Sequence, residues 1–516
     1  QSNLTVVEKP DLFYEPQMEM GDFIAQERKL FESGYYNSRI NSSAHSPVSF
    51  AVEALLAAKE GRITQQEADA LLNHYATQDS RRDLEKYYYR PAVRQQYAFQ
   101  VNGGGNSYLF NFSGGYDHNL SSQVGAQDDR ITLNAGQSWK LMKDKLEVST
   151  GLYLTRSVSF SDTGIPTLDP YEMLADGQGN ALPILANLSS RYLDEIENDG
   201  LLEWRSYPLE EIGKGNNRTL SMDIRANAGL KYTLFPGLNA QVQYQYWQNN
   251  AETRNIETEE LWVMRNMINS FTQVSEDGSL SYPVPRGGRF TNVHSNSQSH
   301  NLRASLNYSL TRNAHQVTAL GGWELRDLNS LSDRASFYGY DDVLGLSVPV
   351  DFITRFPQYY NPGNRQAISS GASHSGVTDR YLSYFANVGY TYQGKYLATV
   401  SARKDMSNIF GVETNQRGVP LWSAGLGWII SEEGFYGMDW MPFLKVRMSY
   451  GYNGNVDKSL SAFTTIQYTT YHDYISGLRN AYVTNPPNPN LRWEKIRIAN
   501  LALDFESKSG RIGGTL

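Results

Sequence analysis

Between Leu220 and Leu234 the chain sorts its residues by parity. Leu220, Met222, Ile224, Ala226, Ala228, Leu230, Tyr232 and Leu234 are apolar, while Ser221, Asp223, Arg225, Asn227, Gly229, Lys231 and Thr233 are polar, charged or glycine. Successive strand side chains point to opposite faces, so this is one long two-faced strand. Soluble strands usually run to about 5–6 residues, whereas a tilted strand that crosses a membrane needs roughly 9–11. The sorting recurs. Tyr108, Phe110, Phe112 and Tyr116 oppose Asn111, Ser113 and Asp117; Leu238, Ala240, Val242, Tyr244 and Tyr246 alternate with Asn239, Gln241, Gln243 and Gln245; Leu302, Ala304, Leu306, Tyr308 and Leu310 face away from Arg303, Ser305, Asn307 and Ser309. A chain of such strands predicts a membrane all-β protein, an antiparallel transmembrane β-barrel.

Composition agrees with that class. Mean hydropathy is −0.51, and no run approaches the ~18 apolar residues of a membrane helix. A membrane barrel is hydrophilic overall because its lumen face and loops are polar. The 35 tyrosines and 9 tryptophans are enough for interfacial girdles. Absence of cysteine rules out disulfides, thiolate metal sites and a cysteine nucleophile, and suits an oxidising compartment. A net charge of −8 offers nothing to nucleic acid.

Residues 1–9 read as a first, partial barrel strand, 10–93 as a helical insertion on the extracellular side, and 94–516 as barrel strands with long extracellular loops. In the insertion, Ser46-Pro47 is expected to open a helix that Gly61 closes, Thr64 and Glu67 form a capping box, and Asp79 caps a further short helix. About 13 or 14 strands are expected. Short turns near residues 103, 143, 236, 312 and 394 alternate with long segments 159–217, 251–297, 329–379 and 455–490. Short turns on one rim and long loops on the other are the pattern of an outer-membrane barrel, periplasmic and extracellular respectively. The sequence opens on Gln1 without a leader, and Arg511 to Leu516 look like a strand cut short, so a fragment of a longer protein is expected.

No catalytic, cofactor or metal site is expected. No two histidines stand at i, i+4, and no nucleophile elbow, Walker loop or dinucleotide fingerprint occurs. Ser373-His374-Ser375 reads as a polar loop and Gly103-Gly104-Gly105 as a turn. Candidates for substrate contact are the inward arginines Arg225, Arg303 and Arg403 and the loop aromatics Trp204, Tyr207, Trp262, Tyr359 and Tyr360, whose rings can stack on sugars or peptide side chains. The bland alternatives are charges tolerated by a wet lumen, as for Lys231 also, and aromatics that pack loops together.

Four motifs in order resemble one family. Asp405-Met406-Ser407-Asn408-Ile409-Phe410-Gly411 resembles its Asp-Gly-Ser-Ser-Arg-Phe-Gly segment, with Asn408-Ile409 departing from Ser-Arg. Gly425-Leu426-Gly427-Trp428 followed by Ser431-Glu432-Glu433-Gly434-Phe435 is similar to its Ala-Gly-Trp and Ser-Glu-Glu segments. Ser449-Tyr450-Gly451-Tyr452-Asn453-Gly454-Asn455 resembles its Ser-Tyr-Gly…Gly-Asn segment, and Asn488 to Lys495 (NPNLRWEK) its Asn-Pro-Asn-Leu-Lys-Trp-Glu segment. The family is the SusC/RagA-like TonB-linked outer-membrane transporters of Bacteroidetes. The resemblance covers most of residues 10–508. It implies part of a barrel of about 22 strands, with the plug, the TonB box and the final strands outside this sequence. It further implies active import of an oligosaccharide or oligopeptide in the outer membrane of a Gram-negative bacterium. The implied partners are a SusD-like surface lipoprotein lid and the TonB complex, alongside outer-membrane lipid and the glycan or peptide itself, with no cofactor. A passive or adhesive barrel is the alternative. An outer-membrane hydrolase is a third reading, disfavoured by the missing catalytic constellation.

Overall fold

The structure, a computed structural model, describes the chain except residues 409–417, 456–461, 474, 489–490 and 492–493. Its main element is one antiparallel sheet in which neighbours in sequence are neighbours in space. The wall strands are β1 (Ser2–Val7), β2 (Ala92–Gly104), β3 (Tyr108–Leu120), β4 (Gln127–Leu141), β5 (Leu146–Ser161), β6 (Asn216–Phe235), β7 (Leu238–Glu257), β8 (Gly288–Arg312), β9 (His315–Asp341), β10 (Ser373–Tyr392), β11 (Tyr396–Ser407), β12 (Gly418–Ile429), β13 (Phe443–Asn453), β14 (Ile496–Glu506) and β15 (Gly513–Thr515). A three-residue strand, Leu346–Val348, adds to β9. Each strand expected from the sequence has a counterpart in β1–β14. Among the described residues no ladder joins β1 to β15, so the sheet is part of a barrel.

The connections alternate between two rims. Segments 105–107, 142–145, 236–237, 313–314 and 393–395 are tight, and 8–91, 162–215, 258–287, 342–372 and 454–495 are long. The β3–β4 link, 121–126, is the short member of the long rim. Local chemistry sets the tight turns. Met142, Lys143 and Asp144 all take left-handed φ values of 54°, 56° and 65°. Gly237 has φ 93°, and a Cβ there would stand 2.4 Å from the Ser309 carbonyl oxygen, so only glycine fits.

Register converts parity into two continuous faces. One row runs Tyr308–Ala319–Val388–Val400–Ala424–Tyr450–Ala499 across seven strands, all apolar or aromatic. One residue away, the opposite face reads Asn307–Leu320–Asn387–Ser401–Ser423–Gly451. Leu230, Val242, Leu306, Val400 and Leu426 are exposed on the apolar face, as lipid-facing side chains are. Helices are short, and among the described residues none is long and apolar enough to cross a membrane.

The strands are longer than the sequence pattern indicates. β8 and β9 have 25 and 27 residues, of which the apolar belt needs roughly 9–11. The expected loops 251–297 and 329–379 therefore shrink to 258–287 and 342–372. Above the belt both faces meet water. Outward Asn292, His294 and Asn296 are as polar as inward Thr291, Ser295 and Ser297, so alternation vanishes while the ladder continues. Leu220 and Met222 lie in this upper zone, beside Glu252 and Asn250. Ser373-His374-Ser375 is the start of β10 rather than a loop, with His374 Nδ1 2.7 Å from Asp333 Oδ1. The first turn lies two residues later than expected, because Gly103 and Gly104 still pair with Phe110 and Leu109.

On the short rim, Glu433 of the second motif ties Trp428 of the same motif to Lys395 and Tyr396. It accepts from Lys395 Nζ at 2.7 Å, Tyr396 Oη at 2.5 Å and Trp428 Nε1 at 3.0 Å. The lysine first, then the two other donors, hold its carboxyl at about 2, down from 4.5. A depressed carboxylate stabilises above its unfolded value, and that stability is lost as pH falls toward 2. Glu433→Gln is expected to lower the unfolding temperature of the refolded protein at pH 7 and to change it little at pH 2. A heat-modifiability gel at the two pH values checks this, and an equal drop at both would show that charge plays no part in the clasp.

Over the long rim sits a layer with its own cores. Helices α1 (Met20–Glu32), α2 (Asn37–Ile40), α3 (Phe50–Lys59), α4 (Gln65–Tyr75) and α5 (Ser80–Asp83) fill the β1–β2 connection, followed by a π-turn at Leu84–Tyr88. The Thr64–Glu67 capping box and the Asp79 cap form, and Gly61 ends α3 at φ 73°. Helix α3 starts later than Ser46-Pro47 indicated: Ser49 is its N-cap, because Val48 is drawn into the cluster of Tyr36 and Val52 and keeps the chain extended through Pro47. Met20, Ile24, Ala51, Leu55 and Leu72 close around Tyr171 from the β5–β6 connection. That connection also holds α6 (Ser190–Glu195) and α7 (Pro208–Glu211), and α8 (Trp262–Phe271) lies between β7 and β8.

Candidate functional site

The inner wall carries a groove of about 720 Å³. Three register rows make its floor: Arg225–Trp247–Ser299, Asn227–Gln245–Asn301–Arg326 and Gly229–Gln243–Arg303–Glu324. Gly229 keeps the floor low, since a Cβ there would come within 2.5 Å of Ser149 Oγ. The middle row is an amide ladder. Gln245 Nε2 donates to Asn227 Oδ1 at 2.8 Å, and Asn301 Nδ2 donates to Gln245 Oε1 at 3.4 Å. Asp223 fixes one end of the groove, accepting from Trp247 Nε1 at 2.6 Å and pairing with Arg225 at 3.2 Å.

The other arginines are held differently. Arg303 lies over the Phe385 ring, 4.6 Å from its centroid. Among the described residues neither Arg303 nor Arg326 forms an ion pair. Arg403 shares this face but is engaged by its neighbours, donating to Asp405 Oδ1 at 2.6 Å and Ser383 Oγ at 3.0 Å. Ser299 is 2% exposed, and its hydroxyl has no partner. Arg225 and Arg303 were legible as inward residues. Arg326 and Glu324 were not singled out, although their alternation with Trp323 and Leu325 carries the same signal.

The loop aromatics gather on the long rim. Trp204 is buried, with the Tyr359 and Tyr360 rings 6.1 and 6.3 Å away. Its Nε1 donates to Asn266 Oδ1, and its carbonyl accepts from Trp262 Nε1, both at 2.9 Å. Tyr359 donates to Asp199 Oδ2 at 2.6 Å. Tyr207 is half-buried at the start of α7. In this structure Trp204 and Tyr359 tie loops to one another.

A second cavity, about 780 Å³, opens within the loop layer, lined by Glu27, Arg39, Asp169, Glu172, Asn217 and Trp262 among others. Two of its carboxylates, Glu27 and Glu172, are engaged by the protein's own donors. Tyr171 Oη donates to Glu27 at 2.7 Å. Glu172 accepts the backbone N–H groups of Asp169 at 2.7 Å and Leu185 at 2.6 Å. Burial raises all three acids, Glu172 to about 7 in spite of its two N–H donors. These groups came to light only with the fold, because Glu27 and Tyr171 are far apart in the chain.

The motifs turn out to be structural where they are described. Asn408 pins β10 at Thr378 and Arg380, its Oδ1 accepting from Arg380 N at 2.9 Å and its Nδ2 donating to the Thr378 carbonyl at 2.7 Å. Ile409 to Gly411 lie outside the described residues, as do Pro489, Asn490, Arg492 and Trp493 of the last motif.

No protein-family model matches the chain. TonB-dependent receptor P39 of Formosa agariphila is 25% identical over 424 residues, which cover 80% of this chain and 35% of that protein. TonB-dependent receptor SusC of Bacteroides thetaiotaomicron is 33% identical over 140 residues, 26% of this chain and 14% of that protein. The chain thus spans about a third or less of the length of these relatives. Among solved structures, the RagAB peptide transporter matches all of this chain and 53% of its own with TM-score 0.67 at 18% identity, a likeness of fold. In sequence this chain is similar to TonB-dependent receptors of Bacteroidetes, SusC among them, and in fold it matches part of a TonB-dependent transporter barrel wall with its loop layer.

Proposed function

We propose that the protein containing this chain imports a bulky nutrient, an oligosaccharide or oligopeptide, across the outer membrane of a Gram-negative bacterium. Import is energised through TonB, and a SusD-like surface lipoprotein covers the long-loop rim, which faces outside the cell. One observation carries the reading: a wall with an apolar outer belt and a polar inner face bears a packed layer of helices and loops on one rim only. The barrel side crosses lipid, and the layer is placed to meet a substrate and a lid. The relatives named TonB-dependent receptors support it.

A passive or adhesive barrel has the same wall, so the test must separate energised from passive transfer. Cells carrying the full-length protein and its lipoprotein partner should accumulate labelled oligomer, and a protonophore should abolish accumulation while leaving surface binding intact. Accumulation that survives the protonophore would establish a passive pore, and binding without accumulation an adhesin.

A further inference from the structure

We propose that the segment joining β12 to β13, residues 430–442, is a foot that inserts into the phospholipid headgroup layer on the short-rim side of the membrane. The inference goes beyond the import reading, since it holds for whatever the barrel carries. Register fixes where the lipid face ends. Across β10, β11 and β12 the last outward row before the short rim is Tyr392–Tyr396–Trp428. Tyr and Trp gather at the boundary of hydrocarbon and water because their rings are apolar and their tips polar. Glu433 accepts from the Tyr396 hydroxyl and the Trp428 indole of that row. Both donors belong to the outer face, so the segment leaves β12 and folds outward instead of beneath the lumen. The Phe435 ring then stands edge-on to Trp428, with centroids 6.2 Å apart, and carries the aromatic row on toward the rim.

What the segment exposes suits lipid. Phe435 is 71% exposed, Trp440 66% and Met438 48%. Single exposed apolar residues are ordinary, but these stand together in the stretch 435–440. The other described links on this rim, at 105–107, 142–145, 236–237, 313–314, 393–395 and 507–512, are all shorter. β12 and β13 pair directly, so joining them does not need the extra length. The segment is also held in place. Lys395 Nζ pairs with Glu433 at 2.7 Å. Tyr436 Oη donates to the Met441 carbonyl at 2.6 Å, closing the lobe that bears Met438 and Trp440. The Trp440 carbonyl accepts from Lys508 N at 2.9 Å, which fastens the lobe to the β14–β15 turn. Glu432 and Asp439 are exposed beside these apolar residues. A headgroup layer solvates such charges and hydrocarbon does not, so the insertion is shallow. Lipid is the occupant because the lobe continues the belt's outer face, and a domain inside the lumen lies on the other side of the wall from Phe435. A second copy of the chain is an outcome of the test.

The experiment uses the full-length protein, any cysteine outside this chain replaced by serine, reconstituted in phosphatidylcholine vesicles. A nitroxide is attached in turn to Phe435→Cys, Trp440→Cys and Ser107→Cys, the last in a tight turn of the same rim. Power-saturation EPR compares collision with oxygen, which concentrates in lipid, and with an aqueous nickel chelate. Oxygen access should exceed nickel access at positions 435 and 440, and the order should reverse at 107. Nickel exceeding oxygen at both lobe positions would overturn the proposal by placing the segment in water. Low access to both reagents with dipolar broadening between labels would overturn it by showing a second copy over the lobe. A conservative variant guards against misfolding. The fluorescence that Trp440→Phe removes, taken as the difference from wild type, should be quenched more by phospholipids brominated near the glycerol end of the acyl chain than by those brominated near the terminal methyl. No quenching by either lipid, or stronger quenching from the chain end, would overturn the shallow insertion. The import reading survives either failure, because energised uptake is measured separately.

Discussion

Leu230→Arg is expected to destabilise the refolded protein by about 2–4 kcal/mol, whereas Met222→Arg on the same face of the same strand should cost about 0–1 kcal/mol. The difference follows from depth. Leu230 sits between Val148 and Val242, and its row continues to Ala304 and Trp323, so an arginine there is surrounded by hydrocarbon. Met222 sits between Arg156 and Asn250, where the ladder has risen out of the belt and the guanidinium reaches water. Urea titration of folding into lipid vesicles measures both. Equal costs would mean that the belt has been placed at the wrong height. Replacing Leu230 and Lys231 by cysteine in turn adds a check on the faces, because a membrane-impermeant thiol reagent should label only the latter.

The second large effect is expected in the loop layer. Tyr171 is 1% exposed, with the Phe23 and Tyr75 rings 6.1 and 5.4 Å away. Its hydroxyl donates to Glu27 and accepts from the Ala51 N–H at 3.3 Å. Tyr171→Ala should cost about 3–5 kcal/mol, the usual range for removing a buried ring. The loss should stay local, because the layer has cores separate from the wall and stability is distributed in such units. Hydrogen exchange should therefore speed up in α1 and α3 while β6 and β7 keep their protection. Tyr171→Phe removes only the hydroxyl and leaves Glu27 without that donor, for about 1–3 kcal/mol. Unchanged protection in α3 after Tyr171→Ala would show that the β5–β6 connection does not anchor the helical insertion.

How much of this was open to a reader of the sequence depends on the solvent each segment meets. In the belt, lipid on one side and water on the other force a period of two, and the strand segments from Ile224 to Tyr246 announce themselves. In the upper halves of β8 and β9 water meets both faces, so residues such as Asn292 and Ser295 alternate polar with polar, and a ladder that continues for several residues reads as loop. The caps show the same division. Thr64 and Glu67 carry the whole signal of a helix start within four residues and were legible, whereas the start of α3 is decided by Val48 docking against Tyr36, a contact made in space.

What the sequence determined by itself is the class of wall: which faces are apolar, which turns are tight, and that Arg225 and Arg303 point inward. Only the tertiary structure decided the site. Arg303 and Arg326 become neighbours through the hairpin register set at Asn313 and Ala314, and Arg225 reaches Trp247 through the turn at Gly237. Trp204 meets Tyr359 and Tyr360 only because the β5–β6 and β9–β10 connections fold over the same rim. Parity is a local property that each strand enforces alone against its two solvents. Proximity across strands and loops is set by register and packing between distant segments, and no residue carries it singly.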